Sequence, residues 1–361
     1  MDYFEQRNEN NIEKTRRIIK ELPAFANEFF VGIQTRTSPL TRLNYAYDLR
    51  IFFNYLSNNL YDGKVAITEI TLADLERLQA FDIECYVEYL NSYTYNGKKF
   101  RCGEKAKERK LASLRSFFKY YFKKDKLSSD ITRKVDMPKI HEKAIIRLDS
   151  EEIAKLLDTV DSEFIGDLST RQNSYHSITR VRDLAILTLF LSTGIRISEL
   201  IGLNKKDFNF ANNSFIVTRK GGNKSILYFG EETEIAIKNY IQWIENEKAE
   251  KTDFGRKISD DDCLFYSLQG KRISVRAVQN LVKKYSKIIT PLKKITPHKL
   301  RSTFGTELYQ NTKDIYVVAD VLGHRDVNTT KKHYAAISEE IRRKAAATVK
   351  LRDDNDANED K

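Results

Sequence analysis

Apolar residues in the first third of the chain recur at the three- and four-residue spacing of amphipathic helices. In residues 41–56, Leu43, Tyr47, Ile51 and Tyr55 fall on one stripe, which predicts a helix that turns these side chains toward a core. The same spacing continues through three further segments, residues 72–79, 83–91 and 106–122. We therefore expect a helical domain over residues 31–125, preceded by an N-terminal extension of residues 1–30.

The helical pattern stops between residues 126 and 147. Ser128 and Pro138 stand there among lysines and arginines without apolar periodicity, which is typical of a linker. A new helix is predicted from about residue 149, with Ser150 as its expected N-cap and two glutamates in its first turn. These signals predict a second domain over residues 148–351.

The second domain combines helices with one predicted β-hairpin. Gly194 separates two helical segments, and residues 214–229 resemble two strands around a turn that contains two glycines. The last residues, 352–361, form an acidic tail with too few apolar side chains to order itself. The expected fold class is mainly α with a small β-sheet, arranged in two domains.

The charge balance narrows the class of partner. The 361 residues include 62 Lys+Arg and 51 Asp+Glu, which gives a net charge of +11 and favours a polyanion such as double-stranded DNA. A membrane surface is the weaker alternative, because the longest apolar run, residues 184–191, is far shorter than the roughly 20 residues that span a bilayer. No membrane association is expected.

The N-terminal residues indicate the cellular location of the protein, and the cysteine spacing indicates whether a disulfide or a metal site is expected. Acidic residues such as Glu5, Glu9 and Glu13 occupy the region where a secretory signal would have its apolar segment, so a cytoplasmic location is expected. The three cysteines are widely spaced along the chain. This spacing predicts neither a disulfide framework nor a zinc site, and no metal is expected.

Some polar positions in the second domain suit chemistry on a phosphodiester. Arg196 follows the break at Gly194, and Glu199, three residues on, falls on the same helical face and could hold its guanidinium. His298 and Arg301 share one face near the start of a predicted helix, at the end that favours anions. Taken alone, Arg196 with Glu199 would more often be a surface ion pair, and His298 would more often be a packed histidine.

Two further candidates follow in the chain. Gly323 ends a predicted helix and brings His324 into the next turn, from which its imidazole could donate to a phosphate oxygen. Tyr334 lies ten residues beyond His324 and is a candidate nucleophile. Because the chain has 19 tyrosines, a place in the core is the alternative for any one of them.

Taken together, four segments resemble the ordered motifs of the tyrosine recombinase family. They are TGIRISEL (193–200), HKLRSTFGTEL (298–308), LGHRDVNTT (322–330) and HYAAI (333–337). The likeness extends over residues 30–350 and implies a helical core-binding domain followed by an α+β catalytic domain. It implies these catalytic residues: Arg196, Lys220, His298, Arg301, His324 and Tyr334. Lys224, in the same predicted turn, is the alternative to Lys220.

The resemblance implies that Tyr334 attacks a DNA phosphate to form a 3′-phosphotyrosine and a 5′-hydroxyl. Arg196 and Arg301 would stabilise the negative charge of the transition state, with His324 as a further donor. The bond energy is retained in the covalent intermediate, so no ATP is required, and the resemblance implies no metal or other cofactor. Glu199 would orient Arg196.

Two residues are implied to handle protons. Lys220 would protonate the leaving 5′-oxygen, and His298 would assist proton movement at the nucleophile. These assignments come from the resemblance rather than from the spacing of the two residues.

Within the family, the sequence is similar to the Xer recombinases, including the single-recombinase XerH type. This likeness implies resolution of chromosome dimers, and hence a role in chromosome partition and cell division. A transposon or phage integrase has the same chemistry and stays open, and a type IB topoisomerase shares the nucleophile and the arginines. An architectural DNA-binding protein without catalysis is the alternative from another class.

Basic residues and one glutamine outside the motifs are predicted to contact DNA. They are Lys105, Lys107, Arg109 and Arg115 in one helix, and Arg272, Arg276 and Gln279 in or near another. Of these, Arg276 and Gln279 lie one helical turn apart and would suit readout of base edges. A predicted C-terminal helix, residues 338–351, is implied by the resemblance to dock onto a neighbouring protomer. The implied assembly is a homotetramer on DNA, with a DNA translocase as a further partner.

Overall fold

The computed structural model describes residues 3–140, 146–219, 221–259, 262–324, 326–328 and 330. They form two compact units that divide between residues 143 and 144. The expected fold class is confirmed, because both units are mainly helical and each has a small antiparallel sheet. Lys220, Tyr334, the helix predicted at 338–351 and the acidic tail lie outside the described residues.

The first unit is a helical domain with an aromatic core. Its elements are α1 (Tyr3–Ile19), α2 (Ala26–Gly32), α3 (Pro39–Tyr55), α4 (Leu72–Arg77), α5 (Ala80–Tyr89), β1 (Tyr93–Tyr95), β2 (Lys98–Phe100) and α6 (Glu104–Phe122). Phe29 of α2 packs edge-on against Phe117 of α6 at 5.0 Å between ring centroids, and Phe52 of α3 packs against Tyr86 of α5 at 5.2 Å. All four rings are buried, so this core accounts for most of the apolar periodicity.

Segments on both sides of the predicted helical domain also contribute to its core. In the N-terminal segment, α1 packs along α3, and Ile18 and Leu22 are buried. In the segment predicted as a linker, Leu127 and Ile131 are buried in the same core. The sequence pattern misses them because isolated apolar residues among charges give no periodic signal. Tyr47 is predicted to face the core as part of the apolar stripe, but it is 39% exposed.

The second unit is built around one long buried helix. Its elements are α7 (Ser150–Asp161), α8 (Thr170–Thr193), α9 (Ile197–Leu200), β3 (Phe208–Asn209), β4 (Ser214–Thr218), β5 (Lys224–Tyr228), α10 (Glu231–Ala249), α11 (Val275–Ile289), α12 (Pro297–Thr312) and α13 (Ile315–Leu322). The second half of α8 is apolar, and α7, α10 and α12 pack around the helix. Among the described helices, none is long and apolar enough to cross a membrane.

Local signals in the second unit explain where its elements begin and end. Asp149, rather than the expected Ser150, caps α7: its carboxylate accepts from the Glu152 N–H at 2.8 Å, and the Glu152 carboxylate accepts from the Asp149 N–H at 2.9 Å. The predicted hairpin is confirmed as β4 and β5, paired antiparallel from Ser214 with Tyr228 to Thr218 with Lys224.

The end of α8 requires glycine. Gly194 has φ +59°, a left-handed conformation that glycine adopts without strain. A β-carbon at this position would lie 2.4 Å from the ring of Phe304 and 2.9 Å from the side chain of Leu322. Gly194 therefore ends α8 and lets α12 and α13 approach the following residues, which include Arg196.

Candidate active site

Three arginine side chains converge on the C-terminal end of α13. Arg196 donates through Nη2 to the carbonyl of residue 323 at 2.8 Å, and Arg219 donates to residues 321 and 322 at 3.0 and 3.2 Å. Arg301 also donates to the carbonyl of residue 322. The last carbonyls of a helix lack intrahelical partners and carry partial negative charge. This end of α13 therefore gathers three guanidinium groups in one place.

Glu199 fixes the orientation of Arg196. Glu199 is only 3% exposed, and its carboxylate accepts from Arg196 Nη1 at 2.7 Å and from the Arg196 backbone N–H at 3.0 Å. The same carboxylate lies 3.5 Å from Nη1 of Arg219. Arg196 stands at the N-cap of α9 and keeps 31% of its side chain exposed. It is therefore held by the protein and still accessible to a ligand.

Helix α12 supplies the second arginine of the motif set. Pro297 is its first residue, where the missing N–H costs no hydrogen bond, whereas the Thr296 hydroxyl does not cap the helix as a polar N-cap usually would. Arg301 is buried and donates to the carbonyl of Gly194 as well as to the end of α13. His298 is exposed one helical turn earlier. The structure thus places His298 and Arg301 on the same helix end.

His324 leaves the end of α13 in a defined orientation. Gly323 has φ +62°, and the His324 N–H donates back to the Ala319 carbonyl at 2.8 Å, a common helix ending. The His324 Nδ1 lies 2.7 Å from the hydroxyl of Thr330, which is buried. With this hydroxyl as donor, the imidazole proton is on Nε2, from which it can be donated to an anionic oxygen.

The turn between β4 and β5 lies next to the arginine cluster. The Arg219 N–H donates to the Asn223 carbonyl at 2.7 Å, and the Gly222 N–H donates to the Arg219 carbonyl at 3.1 Å. Lys224 is exposed at the start of β5. Since Lys220 lies outside the described residues, the choice between the two lysines stays a prediction.

Sequence reasoning missed two residues of this site, Arg219 and Thr330. A signal for Arg219 does exist: Phe215 and Val217 are buried on β4, and the two-residue period of a strand directs position 219 to the same side. Thr330 carried no comparable signal, because a threonine after a histidine-containing turn has many possible partners.

The charges of the cluster favour an anionic ligand. Three guanidinium groups, those of Arg196, Arg219 and Arg301, converge on the end of α13, and the Glu199 carboxylate pairs with two of them, Arg196 and Arg219. Burial lowers the pKa of Arg219, while the neighbouring Glu199 opposes this effect. A cluster of this kind can stabilise the negative charge that develops on the oxygens of a reacting phosphate.

The structure gives the basic residues predicted on α6 different surroundings. Lys105 is exposed. Lys107 is buried and pairs with Glu104 at 2.8 Å. Arg109 forms an ion pair with the buried carboxylate of Asp48 but remains half-exposed. Lys107 therefore has an acceptor within its own helix, and its contact with DNA stays a prediction.

Two further predicted DNA contacts also serve the protein itself. Arg115 donates to the carbonyls of Thr132 and Val135, which joins α6 to the segment that follows it. Arg272 donates to the carbonyls of residues 201 and 203 and to the Asn204 side chain, and it precedes α11 rather than lying on it. Sequence alone cannot reveal such internal acceptors, because they come from distant segments.

Other basic and polar residues are exposed and could contact a ligand. On α11, Arg276 and Gln279 are both exposed, one helical turn apart. In the first unit, a groove of about 490 Å³ is lined by these basic side chains: Arg36, Lys119, Lys123 and Lys124. It adjoins a second depression lined by Arg115 and Arg133, with Lys119 bordering both. The sequence did not indicate this groove, because Arg36 is far from α6 along the chain.

Comparison with protein families and curated relatives gives a consistent assignment. Residues 147–340 match the phage integrase family, and residues 26–125 match the phage integrase N-terminal SAM-like domain. The chain is 32% identical over 320 residues to tyrosine recombinase XerC of Caldanaerobacter subterraneus, covering 86% of this chain and 81% of that protein. It is 29% identical over 350 residues to tyrosine recombinase XerS of Streptococcus thermophilus, covering 91% and 96%.

Solved structures share the fold at lower identity. The XerH site-specific recombinase bound to a palindromic difH substrate superposes with a TM-score of 0.60 at 20% identity, over 86% of this chain and 80% of that one. The Tn1549 transposon integrase in complex with transposon right end DNA superposes with a TM-score of 0.59 at 18% identity, over 88% and 98%.

Proposed function

Because the chain belongs to the phage integrase family of tyrosine recombinases, we propose that it cleaves and rejoins double-stranded DNA at a specific site, with Tyr334 as nucleophile. The observation that carries this proposal is the cluster of Arg196, Arg219 and Arg301 around the end of α13. A cationic cluster beside a half-buried histidine suits a phosphate whose charge increases in the transition state.

In the proposed reaction, the Tyr334 oxygen attacks the scissile phosphorus and the bond to the 5′-oxygen breaks. The products are a 3′-phosphotyrosine and a free 5′-hydroxyl, which can attack the phosphotyrosine of a partner strand and release the tyrosine. Arg196 and Arg301 would contact the phosphoryl oxygens, and His324 would donate to one of them through Nε2. No external energy source is needed, because each step exchanges one phosphodiester for another.

Proton transfers complete this proposal. Lys220 would give a proton to the leaving 5′-oxygen, with Lys224 as the alternative donor. His298, exposed on α12 one turn before Arg301, would assist proton movement at Tyr334. Glu199 would act through Arg196, which it holds by two hydrogen bonds.

We assign DNA binding mainly to the helical domain, residues 31–125, and chemistry to residues 148–351. The groove around Lys119 and Lys123 would contact phosphates, and Arg276 and Gln279 would read bases from α11. These assignments are supported by exposure and charge. Lys105 and Arg109 remain candidates for further phosphate contacts.

The biological role proposed is that of a Xer recombinase, which resolves chromosome dimers before cell division. Its support is the likeness to XerS and XerC along most of the chain. A cytoplasmic location, a homotetramer on DNA joined through residues 338–351, and a DNA translocase as partner belong to the same proposal. A mobile-element integrase is the second candidate, favoured by the fold shared with the Tn1549 integrase.

A covalent-adduct assay tests the proposed chemistry. Nicked, end-labelled duplexes carrying candidate sites would be incubated with the protein and with Tyr334→Phe, then separated on a denaturing gel. The nick lets the short cleaved fragment diffuse away, so the adduct accumulates. An adduct formed by the wild type and absent from Tyr334→Phe supports the proposal. Equal adduct from both proteins would assign the nucleophile to another residue, and binding without any adduct would favour the architectural alternative.

A further inference from the structure

We propose that Arg219 is a positioning residue for strand cleavage, which sets the geometry of Arg196 and of the His324 turn without contacting DNA. The inference rests on the proposed function, because it concerns the rate of the same cleavage step. It goes beyond the motif residues, since Arg219 is not among those that the family resemblance assigned.

The surroundings of Arg219 are unusual for a surface hairpin. Its side chain is 10% exposed, and its guanidinium donates to the carbonyls of Val321 and Leu322. Its Nε is buried without a hydrogen-bond partner among the described residues. Burying a guanidinium is costly, and an apolar side chain of similar volume would often stabilise such a place at least as well. The presence of an arginine at this buried position therefore indicates a role other than packing.

Arg219 is linked to both motif arginines through shared acceptors. Its Nη1 lies 3.5 Å from the Glu199 carboxylate that holds Arg196. The Leu322 carbonyl accepts from Arg219 and from Arg301. A displacement of Arg219 would thus disturb the acceptors of both arginines.

The contact with the His324 turn is equally close. A β-carbon on Gly323 would lie 2.8 to 3.0 Å from the guanidinium of Arg219. Gly323 is the residue whose left-handed backbone releases His324 from α13. The guanidinium therefore packs directly on the backbone that orients the proposed phosphate donor, His324.

Arg219 also joins this cluster to the hairpin. Its backbone N–H and carbonyl bond to Asn223 and Gly222 across the turn, while its side chain reaches residues about one hundred positions further along the chain, at Val321 and Leu322. One residue thus ties the end of β4 to the end of α13. Its side-chain contacts lead to Arg196 and to the His324 turn, the groups proposed to stabilise the developing charge.

The first test is single-turnover cleavage of a saturating nicked duplex by Arg219→Met. Misplacing a catalytic group by about 1 Å can cost on the order of 10²-fold in rate, and we expect a loss of that size with DNA affinity within about threefold of wild type. Arg219→Lys keeps the charge but cannot fork between two carbonyls, so it should be slowed about tenfold. Arg256→Met, which removes an exposed arginine paired with Asp253, is the matched control and should cleave normally.

Two measurements separate positioning from a loss of fold. Melting curves establish the folded fraction of each variant. If Arg219→Met does not fold, the cleavage rate of the folded Arg219→Lys variant tests the positioning role instead. In a Glu199→Gln background, where Arg196 is already loosened, we expect the Arg219 substitution to cost much less than in wild type. Fully additive losses, or wild-type rates in both Arg219 variants, would overturn the proposal.

A substrate with sulfur at the bridging 5′-position completes the test. Its leaving thiolate needs no proton donor, so it would restore a variant that is defective only in protonating the leaving group. We expect the cleavage rate of Arg219→Lys to stay low on this substrate. A rate restored to that of wild type would overturn the proposal that Arg219 acts through Arg196 and His324. If the wild type formed no adduct, the proposed function would fail instead, so the two failures are distinguishable.

Discussion

The Glu199 carboxylate holds Arg196 at two points, the side-chain Nη1 at 2.7 Å and the backbone N–H at 3.0 Å. A single buried group therefore fixes both the start of α9 and the direction of its first side chain. Together with the bond from Nη2 to the Gly323 carbonyl, these contacts restrict a long arginine side chain that would otherwise sample many rotamers.

The first prediction concerns Glu199→Gln. The amide keeps the shape of the carboxylate but loses its charge and presents an N–H₂ to at least one arginine donor, so Arg196 should be displaced. We expect cleavage to slow by about 10- to 100-fold, with DNA affinity changed less than threefold. Single-turnover cleavage and filter binding would measure this. Glu151→Gln, at an exposed glutamate of α7, is the control, and an equal loss in both variants would contradict the role of Glu199.

The second prediction concerns Gly323→Ala. The left-handed backbone costs an alanine about 1 kcal/mol or more, and the new methyl group would press against Arg219. The control is Gly222→Ala: Gly222 has φ +88°, and no atom of the described residues lies within 4 Å of its β-carbon position, so this variant should show the backbone cost without a comparable contact. Urea denaturation should therefore find Gly323→Ala less stable than Gly222→Ala. Equal stability would show that the contact with Arg219 adds nothing.

The third prediction concerns the pH dependence of stability. His176 is buried, with Nε2 2.8 Å from the Ser162 carbonyl and Nδ1 3.0 Å from the Tyr285 hydroxyl. Burial lowers the pKa of His176, and the positive charge of Lys284 adds to this effect, while the hydrogen bond to the Ser162 carbonyl and the charge of Asp183 partly oppose it. The folded state thus binds fewer protons than the unfolded state, in which the pKa is about 6.5. The stability contributed by neutral His176 is complete above that pH and declines as the pH falls toward the folded-state value.

Urea denaturation between pH 8 and 5 would measure this dependence. The free energy of unfolding should fall with decreasing pH more steeply in wild type than in His176→Gln, whose side chain does not titrate. The comparison uses the slope rather than the absolute stability, because the substitution also changes the hydrogen bond to Tyr285. Parallel curves would exclude His176 as a source of the dependence.

The fourth prediction concerns the basic groove of the first unit. Lys119 and Lys123 line this groove, and each lysine that neutralises a phosphate adds about one unit to the slope of affinity against salt. The double variant Lys119→Gln/Lys123→Gln should weaken DNA binding and flatten the salt slope by about one to two units. Lys14→Gln/Lys64→Gln, which changes two exposed lysines outside the groove, should leave the slope unchanged. Equal slopes for both double variants would remove the groove from the interface.

Local signals allowed much of the fold to be predicted. The helix at residues 41–56 and the hairpin at 214–229 rest on periodicity and turn residues, and the structure confirms both as α3 and as β4 with β5. The core contributions of Leu22 and Ile131 escaped prediction, because each is an isolated apolar residue whose partners come from distant helices.

The site shows the same limit. The side chains of Arg196 and Glu199 are near neighbours in sequence, and their spacing indicates the pair that the structure shows. Arg219 and Val321 are joined by a hydrogen bond across 102 residues, and no local pattern indicates such a contact. Lys107 and Arg272 illustrate the converse, since a positive charge in the sequence does not reveal whether its acceptor is a ligand or the protein itself.

The arginines at the end of α13 bind backbone carbonyls, which are present whether or not DNA is bound. The rotational entropy of three long side chains is therefore lost when the chain folds and need not be lost again when a phosphate arrives. Solvent around the cluster likewise needs little rearrangement as charge develops, which is the condition for preorganised electrostatic catalysis. Such a site remains competent for reaction however rarely it meets its substrate, because the folded protein, and not the substrate, holds the arginines in place.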